Sequence, residues 1–192
     1  MSEYLRSSSL LSATDSRLLI VDVQEKLAPI VLNHEVMIKN CQMLIRAAEL
    51  NSVNVVATEQ YPQGLGETVG SLKKIIPERK PKVRFSCAEV LGWSADAADC
   101  PNQVVVAGIE THVCIQQTCL DLLAAGFAVY VVADAVSARS LTDHNYALQR
   151  MRDAGVTIIT TEVAMFEWCE VAGTDQFKQV SRMLIDKANS DA

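Results

Sequence analysis

The chain lacks the features that would assign it to several large classes. No apolar run approaches the ~18 residues that a membrane helix needs. The opening MSEYLRSSSLLSATDS carries Glu3 and Asp15 with a single arginine and no cleavable apolar core. Residues 1–16 are therefore read as a loose N-terminal arm ahead of one domain, 17–192, with no membrane partner. A basic stripe is missing too. The net charge is −6 and the pI about 5.1, and only KKIIPERKPKVR, Lys73 to Arg84, concentrates positive charge. Nucleic acid is not an expected partner. The six cysteines, at 41, 87, 100, 114, 119 and 169, include no Cys-x-x-Cys pair. That is not a secreted disulfide framework, and free thiols in a reducing cytoplasm fit better. No His/Cys/Asp group has metal-ligand spacing. GLGETVG from Gly64 has the wrong interval for a dinucleotide loop, and SLKK from Ser71 lacks the companion motifs of a Ser-x-x-Lys enzyme. No cofactor and no metal are expected.

What is present is a chain of 192 residues, 49% hydrophobic, able to bury one sizeable core. Six short β-branched runs alternate with segments of helical period: RLLIVDV from Arg17, VNVVAT from Val53, a weaker RKPKVRF from Arg79, QVVVAG from Gln103, FAVYVVAD from Phe127 and VTIIT from Val156. Runs this apolar are buried on both faces, and strand-helix alternation calls for parallel pairing with right-handed crossovers. The expected fold is α/β, a doubly wound three-layer sandwich with a six-stranded, mainly parallel sheet in the order 3-2-1-4-5-6. Between strands, NHEVMIKNCQMLIRAAELN predicts a helix with Val36, Cys41, Leu44, Ile45 and Ala48 on its apolar face, capped by Asn33 and stopped at Asn51. After Cys114, the residues Ile115, Cys119, Leu122 and Leu123 predict a second, ended by Gly126. Cys41 and Cys119 then belong to the core, and Cys169 to the core or an interface.

In such sheets ligands bind beyond the carboxyl ends of the strands, where strand order reverses. That points to Asp22 after the first strand, and to Gly108 and Cys114 after the fourth. Asp22 is either a turn or cap residue, or a partly desolvated carboxylate acting as a base. Cys114 is either a buried structural thiol or, with Thr111 as N-cap, a third helical residue whose surroundings favour a thiolate. His112, two positions away, does not face Cys114 on a helix, and His144 is a distant candidate base. By spacing alone Lys82 is an ordinary exposed lysine.

The residues carry more than spacing does. LLIVDVQ, KVRFS and VAGIETHVCIQQTCLDLLAAGFAVYVVADAVSAR together resemble the isochorismatase-like cysteine hydrolases, α/β amide hydrolases with an Asp, Lys and Cys triad. TEQYPQGLGETV from Thr58 looks like the branch that holds the isochorismatase domain-containing proteins. The resemblance puts the aspartate on Asp22, the nucleophile on Cys114 and the lysine on Lys82, with Lys80 as the fallback register. It also implies a cis peptide between Ile109 and Glu110, an oxyanion hole from the backbone N–H groups of Glu110 and Cys114, and a homo-oligomer, tetramer or octamer. Gln24, Tyr61, Arg84 and Phe85 lie beside the motifs as candidate substrate-binding residues. The histidines of the metal-dependent nicotinamidase branch have no counterpart in ATEQYP. The activity implied is hydrolysis of a small amide or related C–N bond through a thioester. Its rival is a non-catalytic α/β binding module.

Overall fold

The computed structural model describes residues 4–76, 78–97 and 100–191. Six strands form its centre: β1 (Ser16–Val21), β2 (Asn54–Gln60), β3 (Glu78–Lys82), β4 (Gln103–Ile109), β5 (Ala128–Ser137) and β6 (Thr157–Ile159). Around them lie α1 (His34–Leu50), the single turns α2 (Pro62–Leu65), α3 (Gly70–Lys73) and α4 (Ala88–Leu91), then α5 (Gln116–Ala124), α6 (Leu141–Asp153), α7 (Thr161–Cys169) and α8 (Asp175–Asp191). The strand order is β3-β2-β1-β4-β5-β6, and every pairing between these strands is parallel.

Alternation along the strands builds two apolar layers. Leu18, Ile20, Val55, Ala57, Val105 and Ala107 face α1, α7 and α8 through side chains such as Leu44, Ile45, Met165 and Val180. Their neighbours Leu19, Val21, Val56, Val104 and Val106 face α5 and α6 through Cys119, Leu122 and Met151. Both sheet faces are covered, which is why the strands read as continuous apolar runs. Cys41 and Cys119 are fully buried where expected, and Cys169 is partly buried against the first layer.

Three local expectations fail. Asn33 does not cap α1 with its side chain; it sits in the left-handed region at φ 50°, a conformation asparagine tolerates, and turns the chain into the helix. Val36 is half exposed, because the buried face of α1 runs instead through Met37, Asn40, Cys41, Leu44 and Ala48. The stretch expected as a loose arm is anchored: Arg6 pairs with Glu170 and donates to the Glu167 carbonyl at 2.8 Å. Leu11 is fully buried, and its N–H donates to the Glu167 carboxylate at 2.8 Å. One buried leucine beside the exposed Leu5 and Leu10 is too small a periodic signal to read in advance.

Four neighbouring strands bring their carboxyl ends together. Val21 is in register with Thr58 on one side and Gly108 on the other, and Gln60 with Lys82. At the reversal point the β1 and β4 backbones approach so closely that a Cβ on Gly108 would lie 2.1 Å from the Val21 carbonyl oxygen. Gly108 also has φ 114°, so both space and conformation require glycine.

Candidate active site

Asp22 is the first residue past β1 and, like Asn33, takes a left-handed backbone, φ 52°. Its N–H donates to the Thr58 carbonyl at 3.1 Å while its own carbonyl accepts from Gln24 N–H at 2.8 Å, a tight turn that aims the side chain into the sheet's end. That carboxylate is fully buried. Oδ1 accepts from the Thr58 hydroxyl at 2.8 Å, and Oδ2 lies 2.7 Å from the Lys82 ammonium, which is the charge partner of this otherwise unbonded oxygen. Burial raises the carboxyl above its usual range; the Lys82 charge first, then the Thr58 hydroxyl and the nearby Cys114 thiol, offset part of this.

Lys82 ends β3, and its side chain is also completely buried. Besides Asp22, its Nζ donates to Gln60 Oε1 at 2.6 Å, to the Phe85 carbonyl at 2.9 Å and to the Arg84 carbonyl at 3.2 Å. Burial alone would depress its pKa, but the nearby Asp22, together with Cys87 and Cys114, more than offsets this and leaves it raised. The charge therefore persists in the interior. Lys80, two residues earlier, pairs with Glu78 at 3.2 Å, and it is Lys82 that meets Asp22.

Cys114 is 6% exposed, and its thiol lies within reach of the charges of both Asp22 and Lys82. Sulfur, carboxylate and ammonium, widely separated in sequence, thus meet at one point. The local backbone differs from expectation. Thr111–Ile115 is a π turn, not the start of an α-helix, with Val113 and Ile115 both donating to the Glu110 carbonyl at 3.0 and 3.2 Å. Thr111 is not a cap: its hydroxyl shares a 3.0 Å hydrogen bond with His144 Nδ1 of α6. Cys114 consequently precedes α5 by two residues, in a kind of helical irregularity that recurs at functional sites. The thiol pKa is raised, not lowered, because burial first and the Asp22 charge second outweigh the pull of Lys82. A helix start suggested a thiolate; burial, and then the nearby carboxylate, favour the thiol.

The Ile109–Glu110 peptide is cis. The Glu110 side chain is held by Arg139, whose Nε and N–H donate to Oε2 at 2.9 and 3.3 Å. Between Arg139 and His144, the turn carrying Glu110 and Thr111 is tied to the end of β5 and to α6. Burial also keeps the His144 pKa low.

The four candidate binding residues fare differently. Gln24 is a correction: it is fully buried, and its amide is consumed by Gln60 N–H at 2.7 Å, Gln60 carbonyl at 3.0 Å and Gly66 carbonyl at 2.6 Å, so no polar atom is left for a ligand. Arg84 turns its guanidinium outward to Glu89 at 2.6 Å, and only its carbonyl reaches the site. Tyr61 and Phe85 each expose about half their surface beside Lys82, through the Tyr61 N–H to Lys82 carbonyl bond at 2.8 Å and the Phe85 carbonyl. Three residues escaped sequence reasoning: Thr58, Gln60 and Cys87. Cys87 is fully buried, 3.4 Å from the Thr58 hydroxyl, with its thiol pushed up to about 11 by burial and then by Asp22. The strand register that pairs Gln60 with Lys82 was the one available signal. Among the described residues no His/Cys/Asp/Glu group is arranged to hold a metal ion.

Comparison with known proteins adds four likenesses. The isochorismatase domain profile matches residues 94–163. Isochorismatase domain-containing protein 2 of Danio rerio is 38% identical over 175 residues, 91% of this chain and 89% of the fish protein. A solved MAR1 ribonuclease from Caenorhabditis elegans superimposes with TM-score 0.84 at 35% identity, covering 92% of each chain. The YcaC protein of Escherichia coli, described as an octameric hydrolase of unknown specificity, shares the fold at 21% identity and TM-score 0.82, covering 98% of this chain and all of that one.

Proposed function

Given that this chain belongs to the isochorismatase domain family, we propose that it is a hydrolase using Cys114 as nucleophile, Asp22 as general base and acid, and Lys82 as the fixed charge between them, acting on a small amide or related C–N bond. One observation carries this reading: the fully buried Asp22 carboxylate pairs with the Lys82 ammonium at 2.7 Å, and both charges act on the nearly buried Cys114 thiol.

The energetics support a base of this type. In water a thiol and a carboxylate differ by ~4.5 pKa units, so proton transfer would cost about 6 kcal/mol. Burial raises Asp22, which narrows that gap, but it raises the Cys114 thiol as well, so the remainder must come from the charges around the pair. Part of the thiol's elevation comes from the Asp22 charge itself, and that part disappears once the proton moves to Asp22. Lys82 then faces the new thiolate. The thiolate attacks the carbonyl carbon, the backbone N–H groups of Glu110 and Cys114 receive the oxyanion, and protonated Asp22 gives its proton to the leaving amine. Water, deprotonated by the same carboxylate, hydrolyses the Cys114 thioester and restores the thiol. Tyr61 and Phe85 would wall a small, partly apolar acyl group.

The test is intact mass after incubation with a panel of small amides, in wild type and Cys114→Ala. Wild type should accumulate an acyl adduct and react with iodoacetamide at Cys114; the variant should do neither while keeping its fold. Equal labelling of both, or turnover by the variant, would remove the thiol from the chemistry. The ribonuclease name of the Caenorhabditis relative suggests an RNA arm in the same panel. Lys82 is buried and paired here, so it offers no exposed cation to a phosphodiester, and RNA should pass uncut. We further propose a homo-oligomer, tetramer or octamer. Octameric YcaC supports it, as do the exposed apolar side chains Val36, Leu141 and Tyr146. A cytoplasmic setting is consistent with six free thiols.

A further inference from the structure

Building on that hydrolase reading, we propose that Thr58 is a positioning residue that sets the proton affinity of Asp22, and that the thiol of Cys87 locks the Thr58 hydroxyl in the direction this requires. The mechanism leaves Cys87 without a role, yet its sulfur lies fully buried one group away from the base. Counting hydrogens fixes the direction of the chain. A hydroxyl has one proton, and an ionised carboxylate can only accept. The 2.8 Å bond from Thr58 Oγ1 to Asp22 Oδ1 therefore uses the threonine's proton. The 3.4 Å contact with Cys87 is then a thiol S–H donated to a hydroxyl lone pair. Cys87 is itself pinned, since its backbone N–H donates to the Thr118 hydroxyl of α5 at 2.9 Å. The relay runs Cys87 to Thr58 to Asp22 with every residue in it buried.

A hydrogen bond donated to a carboxylate stabilises its charged form and lowers its pKa. Thr58 thus restrains a base that burial alone would drive higher. Removing it has two linked consequences for Cys114. Asp22 holds its proton to higher pH, so the acid limb of thiol reactivity moves up. Above that limb Asp22 is a stronger base, so a larger share of the pair exists as protonated carboxyl and thiolate, and the plateau rate rises. A substitution that merely loosened the site would lower the rate and leave the limb in place.

The experiment is the pH dependence of Cys114 alkylation by iodoacetamide, read by peptide mass, in wild type, Thr58→Val, Thr58→Ser and Cys87→Ala. Thr58→Val keeps the shape and removes the donor; its limb should rise by roughly 1 to 2 pH units with a comparable tenfold or greater gain in plateau rate, the worth of a hydrogen bond to a charged group. Thr58→Ser should return both to wild type. Cys87→Ala should shift both in the same direction by less, and it carries the test alone should Thr58→Val fail to fold. An unmoved limb in Thr58→Val, or a Thr58→Ser that behaves like it, would overturn the role of Thr58. An unmoved limb in Cys87→Ala would overturn the lock. Should wild-type Cys114 not react at all, the hydrolase reading falls separately, and the Asp22 carboxyl titration followed by carbon NMR in the same variants still decides this proposal.

Discussion

Replacing Lys82 by methionine keeps the length and most of the volume of the side chain and removes its charge. Asp22 would then be a buried carboxylate with one hydroxyl and one thiol for company. Breaking a buried ion pair by deleting one partner costs about 3–5 kcal/mol, because the other charge is stranded. The charge has an escape, which gives the loss a signature. A carboxyl whose folded pKa is raised costs nothing below its unfolded value near 4, and above it costs about 1.4 kcal/mol per pH unit until the folded group ionises. Without Lys82 that window extends well towards neutrality. Urea unfolding of wild type and Lys82→Met, followed by the emission of Trp93 and Trp168, should therefore show a gap between them that is about 2–4 kcal/mol larger near pH 7.5 than near pH 4.5. A smaller loss, from leaving Gln60 Oε1 and the Arg84 and Phe85 carbonyls without a donor, should appear at both. Adding Asp22→Asn should recover most of the pH-dependent part, since an amide has no charge to strand. A loss equal at both pH values, or one that Asp22→Asn does not relieve, would mean that Lys82 does not hold the charge of Asp22.

Two other substitutions test what holds the site in place. Gly108→Ala should destabilise the protein by more than 3 kcal/mol, read as a lowered urea midpoint, because the new methyl meets backbone rather than a side chain that can move. Gln24→Ala should cost about 2–4 kcal/mol through three orphaned backbone groups, and if small-amide turnover is detected its KM should stay close to wild type, since Gln24 has no free polar atom; a large rise in KM at unchanged stability would return it to the pocket wall.

The sheet was legible because its signal is carried by many residues at once: four consecutive apolar side chains in RLLIVDV or QVVVAG can be satisfied only between two covered faces. Asp22 and Gly108 were legible as strand ends. Lys82 was not, for a lysine in KPKVRF looks solvated until strand register sets it beside Gln60 and Asp22. The π turn was hidden for a related reason: Thr111 has the chemistry of a cap, and only the presence of His144 on another helix diverts its hydroxyl. The direction of the Cys114 shift needed the same kind of information, since a sequence shows the helix that follows a cysteine and not the carboxylate from another strand that touches it. Gln24 sits next to the motif and was assigned by that adjacency, whereas its burial depends on the loop through Gly66.

The four strand ends β3, β2, β1 and β4 make the sheet a ruler for the chemistry. Hydrogen-bonded neighbours are about 4.8 Å apart, so Asp22 and the lysine's backbone stand two spacings from each other, a gap that only a long, straight cationic chain spans end-on. The reactive constellation is thereby inherited from backbone periodicity, and the side chains that overhang it, in 61–68 and 83–86, are free to be rewritten for a different acyl group without retuning the proton transfer beneath them.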